Sequence, residues 1–388
     1  MFLYKTAKRN PELMEAAVLL HQSGKILPDT YVLDYDSIQE NAAHMLGTAE
    51  RYGLELFVMT KQLGRNPLLS SMLIDMGFTG TVTVDYREAL LMIKHGIPLA
   101  HVGHLVQTPT HALQQIIAAK PSLMTVFSIE KAKEIDRFSR QAGRIQPIML
   151  RVIGHDDVIY DCQQGGIALM DLEKTMLELS KLSHVVVEGV TTFPCFLYDA
   201  EHKDVRPTNN AYTLLEAAEQ LRTRYDQPIK HINMPSATCT HTIPAIKAIG
   251  GTQGEPGHGL IGTTPMHAAA DLVETPAIVY VSEISHSYGE YSYCYGGGHY
   301  RRSGVERAYV IDKNGNRTDS RVRKPDATSI DYYFALEGKH EVGSTVIFAF
   351  RTQIFVTRSD VAIVQGLHAG QGQLVGIYDS LGQPKEAG

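Results

Sequence analysis

The feature that most constrains this chain is a repeated alternation, over its first 250 residues or so, of short β-rich runs with stretches of helical spacing. Eight runs can be read, at 31–34, 56–60, 81–84, 100–102, 124–127, 148–152, 185–190 and 231–234. Helical stretches follow many of them: 37–49, with Asp36 or Ser37 as N-cap; 67–76; 87–94; and 210–225, where Leu214, Leu215, Ala218 and Leu221 recur in helical register. A crossover helix is how consecutive parallel strands are joined, so the alternation predicts a parallel sheet. Eight units in about 240 residues fit a closed (β/α)8 barrel better than an open sheet.

The texture then changes. Runs at 277–285, 291–295, 308–311, 344–349 and 361–364, separated by turns such as Lys313-Asn314-Gly315-Asn316, predict an antiparallel β domain. The expected fold is therefore α/β, a (β/α)8 barrel over 28–270 followed by a C-terminal β domain over 271–388. A helix at 11–22 is expected within an N-terminal segment, 1–27, packed on the barrel or on the β domain.

Composition narrows the function. With 36 Lys and Arg against 42 Asp and Glu, the formal charge of −6 excludes a basic nucleic-acid binder. The four cysteines, Cys162, Cys195, Cys239 and Cys294, show no CxxC spacing, and no signal-peptide pattern opens the sequence. No apolar run approaches the roughly 18 residues of a membrane-spanning helix. A cytoplasmic protein acting on a small molecule is the expectation.

In such a barrel, chemistry sits at the C-terminal ends of the strands. Lys61 ends the apolar run 56–60, where a low-dielectric mouth can depress an amine pKa for Schiff-base chemistry; a strand-end lysine reaching to water explains it equally. The turn Gly254-Glu255-Pro256-Gly257-His258-Gly259 can offer backbone N–H groups to a phosphate, or simply reverse the chain. Ser236 and Thr238, in Pro235-Ser236-Ala237-Thr238, either face the same phosphate or cap the next helix.

In order and spacing these pieces resemble the pyridoxal-phosphate enzymes of the alanine racemase type, which include the ornithine decarboxylase relatives. The segment Thr30-Tyr31-Val32-Leu33-Asp34-Tyr35-Asp36-Ser37-Ile38-Gln39-Glu40-Asn41 is similar to the family's opening "TPxYVxDxDxLxxN". The resemblance then implies pyridoxal 5'-phosphate as cofactor and Lys61 as its Schiff-base lysine. It makes Glu255 the partner of the pyridine nitrogen, and the Gly257 and His258 amides phosphate ligands. The decarboxylase branch carries "EPGR" here, whereas alanine racemases carry arginine in place of Glu255. Gly189-Val190-Thr191-Thr192-Phe193 is similar to the racemases' "GxMTHF", with Phe193 where their histidine supports that arginine. A carboxylate beside the ring nitrogen favours its protonated form and a stronger electron sink. By the same resemblance Arg151 orients the substrate or the ring oxygen; a structural ion pair is the other reading.

In the β domain, Cys294-Tyr295-Gly296-Gly297-Gly298-His299-Tyr300-Arg301 is similar to "GYxDGYPR", with Gly297 in place of the aspartate. The resemblance implies Tyr295 as a second acid/base acting in the partner subunit's site, hence a homodimer. Cys294 or His299 is the alternative proton donor, and a glycine-rich turn with interface aromatics is the structural reading. His155, Asp156, Asp157 and Cys162 match no standard metal spacing. Certain relatives hold a divalent metal in the β domain; His286, His299 and His368 are the residues to weigh for one here, but His368 lacks the expected cysteine after it, so no metal is expected. The reading is an amino-acid racemase or epimerase; decarboxylation or aldol and elimination chemistry is the alternative, and a non-catalytic cofactor carrier a third, against which the β domain argues.

Overall fold

The computed structural model describes residues 2–299, 303–326 and 328–385. The chain divides into two compact units, one of residues 43–60 and 67–257, the other of residues 1–42, 61–66 and 258–388.

The first unit is the parallel barrel. Its strands run in the order Glu55–Leu56, Gln253–Gly254, His231–Asn233, Val185–Thr191, Gln146–Ile153, Leu123–Val126, Leu99–Val102, Thr81–Thr83 and Val58–Met59, every pairing parallel. The two ends of that list are halves of one run interrupted at Phe57, so the sheet closes on itself with eight staves. Phe57, Met59, Val82, Val84, Ala100, Leu123 and Met149 form an apolar cluster inside it, as a filled barrel requires. The helices Pro67–Met76, Tyr86–Lys94 and Asn209–Tyr225 stand close to their expected positions. Asp85 caps the second by accepting a hydrogen bond from the Glu88 amide.

One of the eight expected staves is corrected, and one that was not expected takes its place. The run 31–34 is not a barrel strand. The eighth stave is instead Gln253–Gly254, too short and too polar to read as a strand from sequence. The helix after 31–34 also begins one residue before the expected caps, at Tyr35. Its capping carboxylate is the fully buried Asp34, which accepts from the Asp36 and Ser37 amides at 3.1 and 3.2 Å.

The second unit is built on a ten-stranded sheet, ordered Tyr291–Tyr295, Tyr333–Glu337, Arg317–Arg323, Arg307–Ile311, Thr345–Phe348, Ile278–Tyr288, Thr30–Asp34, Asp360–Gln365, Gln373–Tyr378 and Pro384–Lys385. Thr30–Asp34 lies in its middle, antiparallel to Ile278–Tyr288 and parallel to Asp360–Gln365, so the sheet is antiparallel but for this one pair. The helices Phe2–Arg9 and Pro11–Gln22 belong to this unit. Leu3, Leu13, Met14, Ala17 and Leu20 join Val32, Val279, Val281 and Ile347 in one core. Asn10 starts the second helix by accepting from the Leu13 amide. The expected N-terminal segment thus packs on the β sheet, and residues 1 and 386–388 of the expected domains lie outside the described residues.

Candidate active site

Four staves of the barrel deliver polar side chains to one buried cluster. His101 comes from Leu99–Val102, Thr125 from Leu123–Val126 and Asn233 from the end of His231–Asn233, while Glu255 directly follows Gln253–Gly254. All four are buried, and the Glu255 carboxylate is wholly out of solvent. Such groups persist in a core only when hydrogen-bonded. Glu255 Oε1 accepts from His101 Nδ1 at 2.7 Å and from Asn233 Nδ2 at 2.9 Å. Behind these donors stand two hydroxyls: Thr125 Oγ1 is 2.5 Å from His101 Nε2, and Thr191 Oγ1 donates to Asn233 Oδ1 at 2.8 Å.

The other carboxylate oxygen, Oε2, has no hydrogen-bond partner among the described residues. The imidazole of His104 places Nε2 3.6 Å away. Burial alone would push the Glu255 pKa up, but the imidazoles of His104 and His101 and the donors on Oε1 more than offset it and hold the carboxyl down at about 2. The site therefore keeps a carboxylate with one oxygen saturated and one open to a donor from outside the chain. His101, His104 and Glu255 also bring their ligand atoms within 4.8 Å of one another, the spacing of a metal group. The 2.7 Å approach of His101 Nδ1 to Oε1 has the length of a charge-assisted hydrogen bond.

Beside Glu255 lies a turn whose backbone is strained. Ser236 and Ala237 have φ of 88° and 53°, consecutive left-handed residues that cost about 1–3 kcal/mol each where a side chain is present. The Ser236 hydroxyl donates to the Phe196 carbonyl at 2.6 Å and accepts from the Phe196 amide at 3.0 Å. The Ser236 side chain thus ties this turn to the loop at Phe196. Thr238 Oγ1 accepts from the Glu255 amide at 3.2 Å, tying this turn to the 254–257 turn that carries Gly257. Successive amides in such a turn make a concave anion seat.

Arg151, on Gln146–Ile153, is 2% exposed. It donates from Nη2 to the Gln163 carbonyl at 2.9 Å and lies 4.5 Å from the Phe127 ring centroid. Its Nε and Nη1 have no partner among the described residues, and burial lowers its pKa. The structural ion pair weighed for Arg151 is absent among the described residues. What it offers is two open donors.

In the other unit, Lys61 lies in a tight 3-10 turn, Thr60–Leu63, directly after Val58–Met59, and is 9% exposed. Its ammonium is 6.0 Å from the Phe355 ring centroid. His258 is bound at Nδ1 to Thr263 Oγ1 at 2.9 Å and meets Gln353 Nε2 at 3.3 Å; Gln62 donates to Gln353 Oε1 at 3.4 Å. Desolvation, followed by the cations Arg351 and Lys61, pushes the His258 pKa well below its ordinary value. His258 is thus a neutral imidazole near a lysine.

Tyr295 ends its strand with its ring 39% exposed and 6.0 Å from Tyr333. The turn after it is firmly held, with the Gly297 and His299 amides both on Asp331 Oδ2 at 2.9 Å and the Tyr31 hydroxyl on the Gly298 carbonyl. Gly297 has φ of +131°, and a Cβ there would overlap the Asp29 carboxylate, which explains why no aspartate stands at this point of the motif. Cys294 is fully buried and its thiol is pushed by burial up to about 12. A thiol so placed is out of solvent and keeps its proton near neutrality. Tyr300 and Arg301 lie outside the described residues.

The barrel unit thus brings together Glu255, Thr238 and the Ser236 turn, and the β unit holds Lys61, His258, Tyr295 and Cys294. His155 is almost wholly exposed and paired with Asp156, Cys162 is exposed, His286 stacks on Tyr293, and His368 meets Glu40 at 3.0 Å. The sequence reading missed His101, His104, Asn233 and Thr125. Their signal was available: polar residues inside or just beyond short apolar strand runs, where only strand-ending residues had been considered. No helix among the described residues is long and apolar enough to cross a membrane.

Residues 33–265 match the family model described as alanine racemase, N-terminal domain, and residues 279–374 match that described as YhfX-like, C-terminal domain. A protein of Escherichia coli strain K12 described as "Uncharacterized protein YhfX" is 43% identical over 383 residues, covering 98% of this chain and 99% of that one. Among solved structures, alanine racemase of Clostridium difficile 630 in complex with cycloserine aligns with a TM-score of 0.62 at 16% identity, over 92% of this chain and 99% of that one. D-threonine aldolase from Filomicrobium marinum gives 0.64 at 13%, over 91% and 95%. Diaminopimelate decarboxylase from Helicobacter pylori, complexed with L-lysine, gives 0.65 at 11%, over 92% and 94%.

Proposed function

Because the chain belongs to the family built on the alanine racemase N-terminal domain, we propose that it is a pyridoxal-phosphate enzyme acting at the α-carbon of an amino acid, as a racemase or epimerase. The observation that carries this reading is the open Oε2 of buried Glu255, a permanent carboxylate waiting for one N–H donor. The protonated ring nitrogen of pyridoxal phosphate would be such a donor. The left-handed turn at Ser236 and Ala237, with the Gly257 amide, gives a seat for a phosphate.

Bound there, the cofactor supplies an electron sink for the pair left on the substrate's α-carbon. Glu255 keeps the ring nitrogen protonated by remaining ionised. Lys61 would hold the cofactor through Nζ, and its free amine would take or return the α-proton. Tyr295 provides the opposite proton from a partner subunit in a homodimer. Arg151 turns its open Nε and Nη1 toward the substrate carboxylate or the ring oxygen. His258, neutral, places no further positive charge beside Lys61.

The test has two parts. Purified protein given pyridoxal phosphate should show a visible band that borohydride bleaches, and Lys61→Ala should lack it. An amino-acid panel in heavy water should then show D/L exchange with deuterium entering the α-position; a protein with the band but no exchange is not a racemase. Glu255 also favours a second reading, decarboxylation or retro-aldol and elimination, because a strong sink serves any bond broken at the α-carbon. Release of carbon dioxide, an aldehyde or ammonia without D/L exchange would select it.

A further inference from the structure

A carboxylate can offer either oxygen and can rotate, so what Glu255 presents is decided by whatever holds Oε1. Two donors do so, and each is itself fixed from behind by a threonine hydroxyl on a neighbouring stave: Thr191 to Asn233, and Thr125 to His101. The donors differ in kind. An amide nitrogen always carries its protons. An imidazole donates from Nδ1 only in the right tautomer or when protonated, and the contact at Nε2 governs which. Since an ionised carboxylate only accepts, the proton in the 2.7 Å contact sits on His101 Nδ1. Thr125 Oγ1, 2.5 Å from Nε2, can donate to that nitrogen and so hold the ring in the form that carries its proton on Nδ1. His104 lies over the opposite oxygen, 3.6 Å from Oε2, its ring edge-on to His101 at 5.0 Å and to Phe193 at 5.9 Å.

We propose that His101, oriented by Thr125, is a positioning residue that fixes Glu255 with Oε2 outward and lets it stay ionised while a bound pyridine ring shares its proton; the proposal rests on the reading above that pyridoxal phosphate binds at Glu255. Asn233 fixes the same oxygen, so Oε1 is held by two N–H donors and Oε2 is the oxygen left to face a ligand. His101 touches neither substrate nor cofactor in this arrangement and acts through Glu255 alone.

The test uses full-length protein loaded with pyridoxal phosphate labelled with nitrogen-15 in the ring, whose chemical shift reports ring protonation independently of activity. His101→Leu removes the donor. His101→Asn keeps an N–H near the Nδ1 position. Wild type should show the protonated ring, and His101→Leu the unprotonated one with cofactor affinity weakened about tenfold or more, the scale of one lost hydrogen bond to a charged group. His101→Asn should restore the protonated signal. Thr125→Val, which leaves the imidazole in place, covers a His101→Leu chain that fails to fold, and should weaken binding several-fold with partial loss of the protonated signal. Unchanged shift and affinity in His101→Leu, or in Thr125→Val where that stands in, would overturn the proposal while leaving the cofactor reading intact. Wild-type protein that takes up no pyridoxal phosphate overturns that reading itself. Stoichiometric zinc in the purified protein, lost in His101→Leu, would overturn both in favour of a metal centre.

Discussion

Replacing Glu255 by Gln removes a charge without changing the side-chain shape, and its consequence can be worked from the titration of one group. The carboxyl titrates at about 2 in the folded chain against 4.5 for the free group. A depressed carboxyl stabilises the fold above its unfolded pKa and loses that stabilisation as pH falls toward the folded one. For these two values the ionised group contributes about 3 kcal/mol at pH 5.5 and about 1 kcal/mol at pH 3, with most of that remainder lost by pH 2. Glu255→Gln has nothing to titrate there. Whatever the stability gap between wild type and variant at neutral pH, it should narrow by about 2 kcal/mol between pH 5.5 and pH 3. Urea unfolding of both proteins without cofactor, followed by far-ultraviolet circular dichroism at four or five pH values, measures this gap directly. A gap constant across that window would show that the two imidazoles and Asn233 do not hold the buried carboxylate ionised, and the argument for a protonated ring nitrogen would go with it.

Other predictions concern the β unit and its supply of residues. Gly297→Ala meets both a positive φ and the Asp29 carboxylate, and should cost about 2–4 kcal/mol, read as a fall in melting temperature; an unchanged melt would mean the turn after Tyr295 is not held as described. Asp34→Ala removes an acceptor that serves Asn10, Ser37 and the first helical amides, and should cost about 3 kcal/mol in the same assay. Tyr295→Phe should lower racemisation at least about a hundredfold while leaving cofactor uptake unchanged. Mixing inactive Tyr295→Phe with inactive Lys61→Ala should restore activity toward about a quarter of wild type, since half of randomly paired dimers carry one intact site. No recovery on mixing would rule out Tyr295 acting in trans.

The sequence foretold the two architectures but misplaced one strand and missed another, and the reasons are physical. Thr30–Asp34 is buried at all five positions, and a continuous apolar run looks the same whether it is flanked by parallel barrel neighbours or sits in the middle of a mostly antiparallel sheet. Gln253–Gly254 has two residues, one polar and one glycine, so neither length nor composition marks it; only closure of the ring demands it. Lys61 and Glu255 could be singled out because each terminates a recognisable run. His101 and Thr125 stand inside strand runs rather than at their ends, and His101 matters because it meets Glu255 about 150 positions away, so they stand out less than strand-ending residues do. Cys294 was weighed for its reactivity, yet burial decides its chemistry, and burial was not legible in an alternating strand.

The placement of Thr30–Asp34 has a consequence for how the molecule is made. Its antiparallel partner is about 250 residues downstream and its parallel partner about 330. At ribosomal speeds of roughly 5–20 residues per second, this apolar segment waits about 12 to 50 seconds for the first partner to emerge. Meanwhile nearly all of the barrel's own sequence leaves the ribosome as one stretch, interrupted only at 61–66, and can close on itself. The β unit is thus the last to assemble, bounded by contacts of very high sequence separation, and the first five-residue strand of the protein spends synthesis as an unpaired edge that a chaperone must shield.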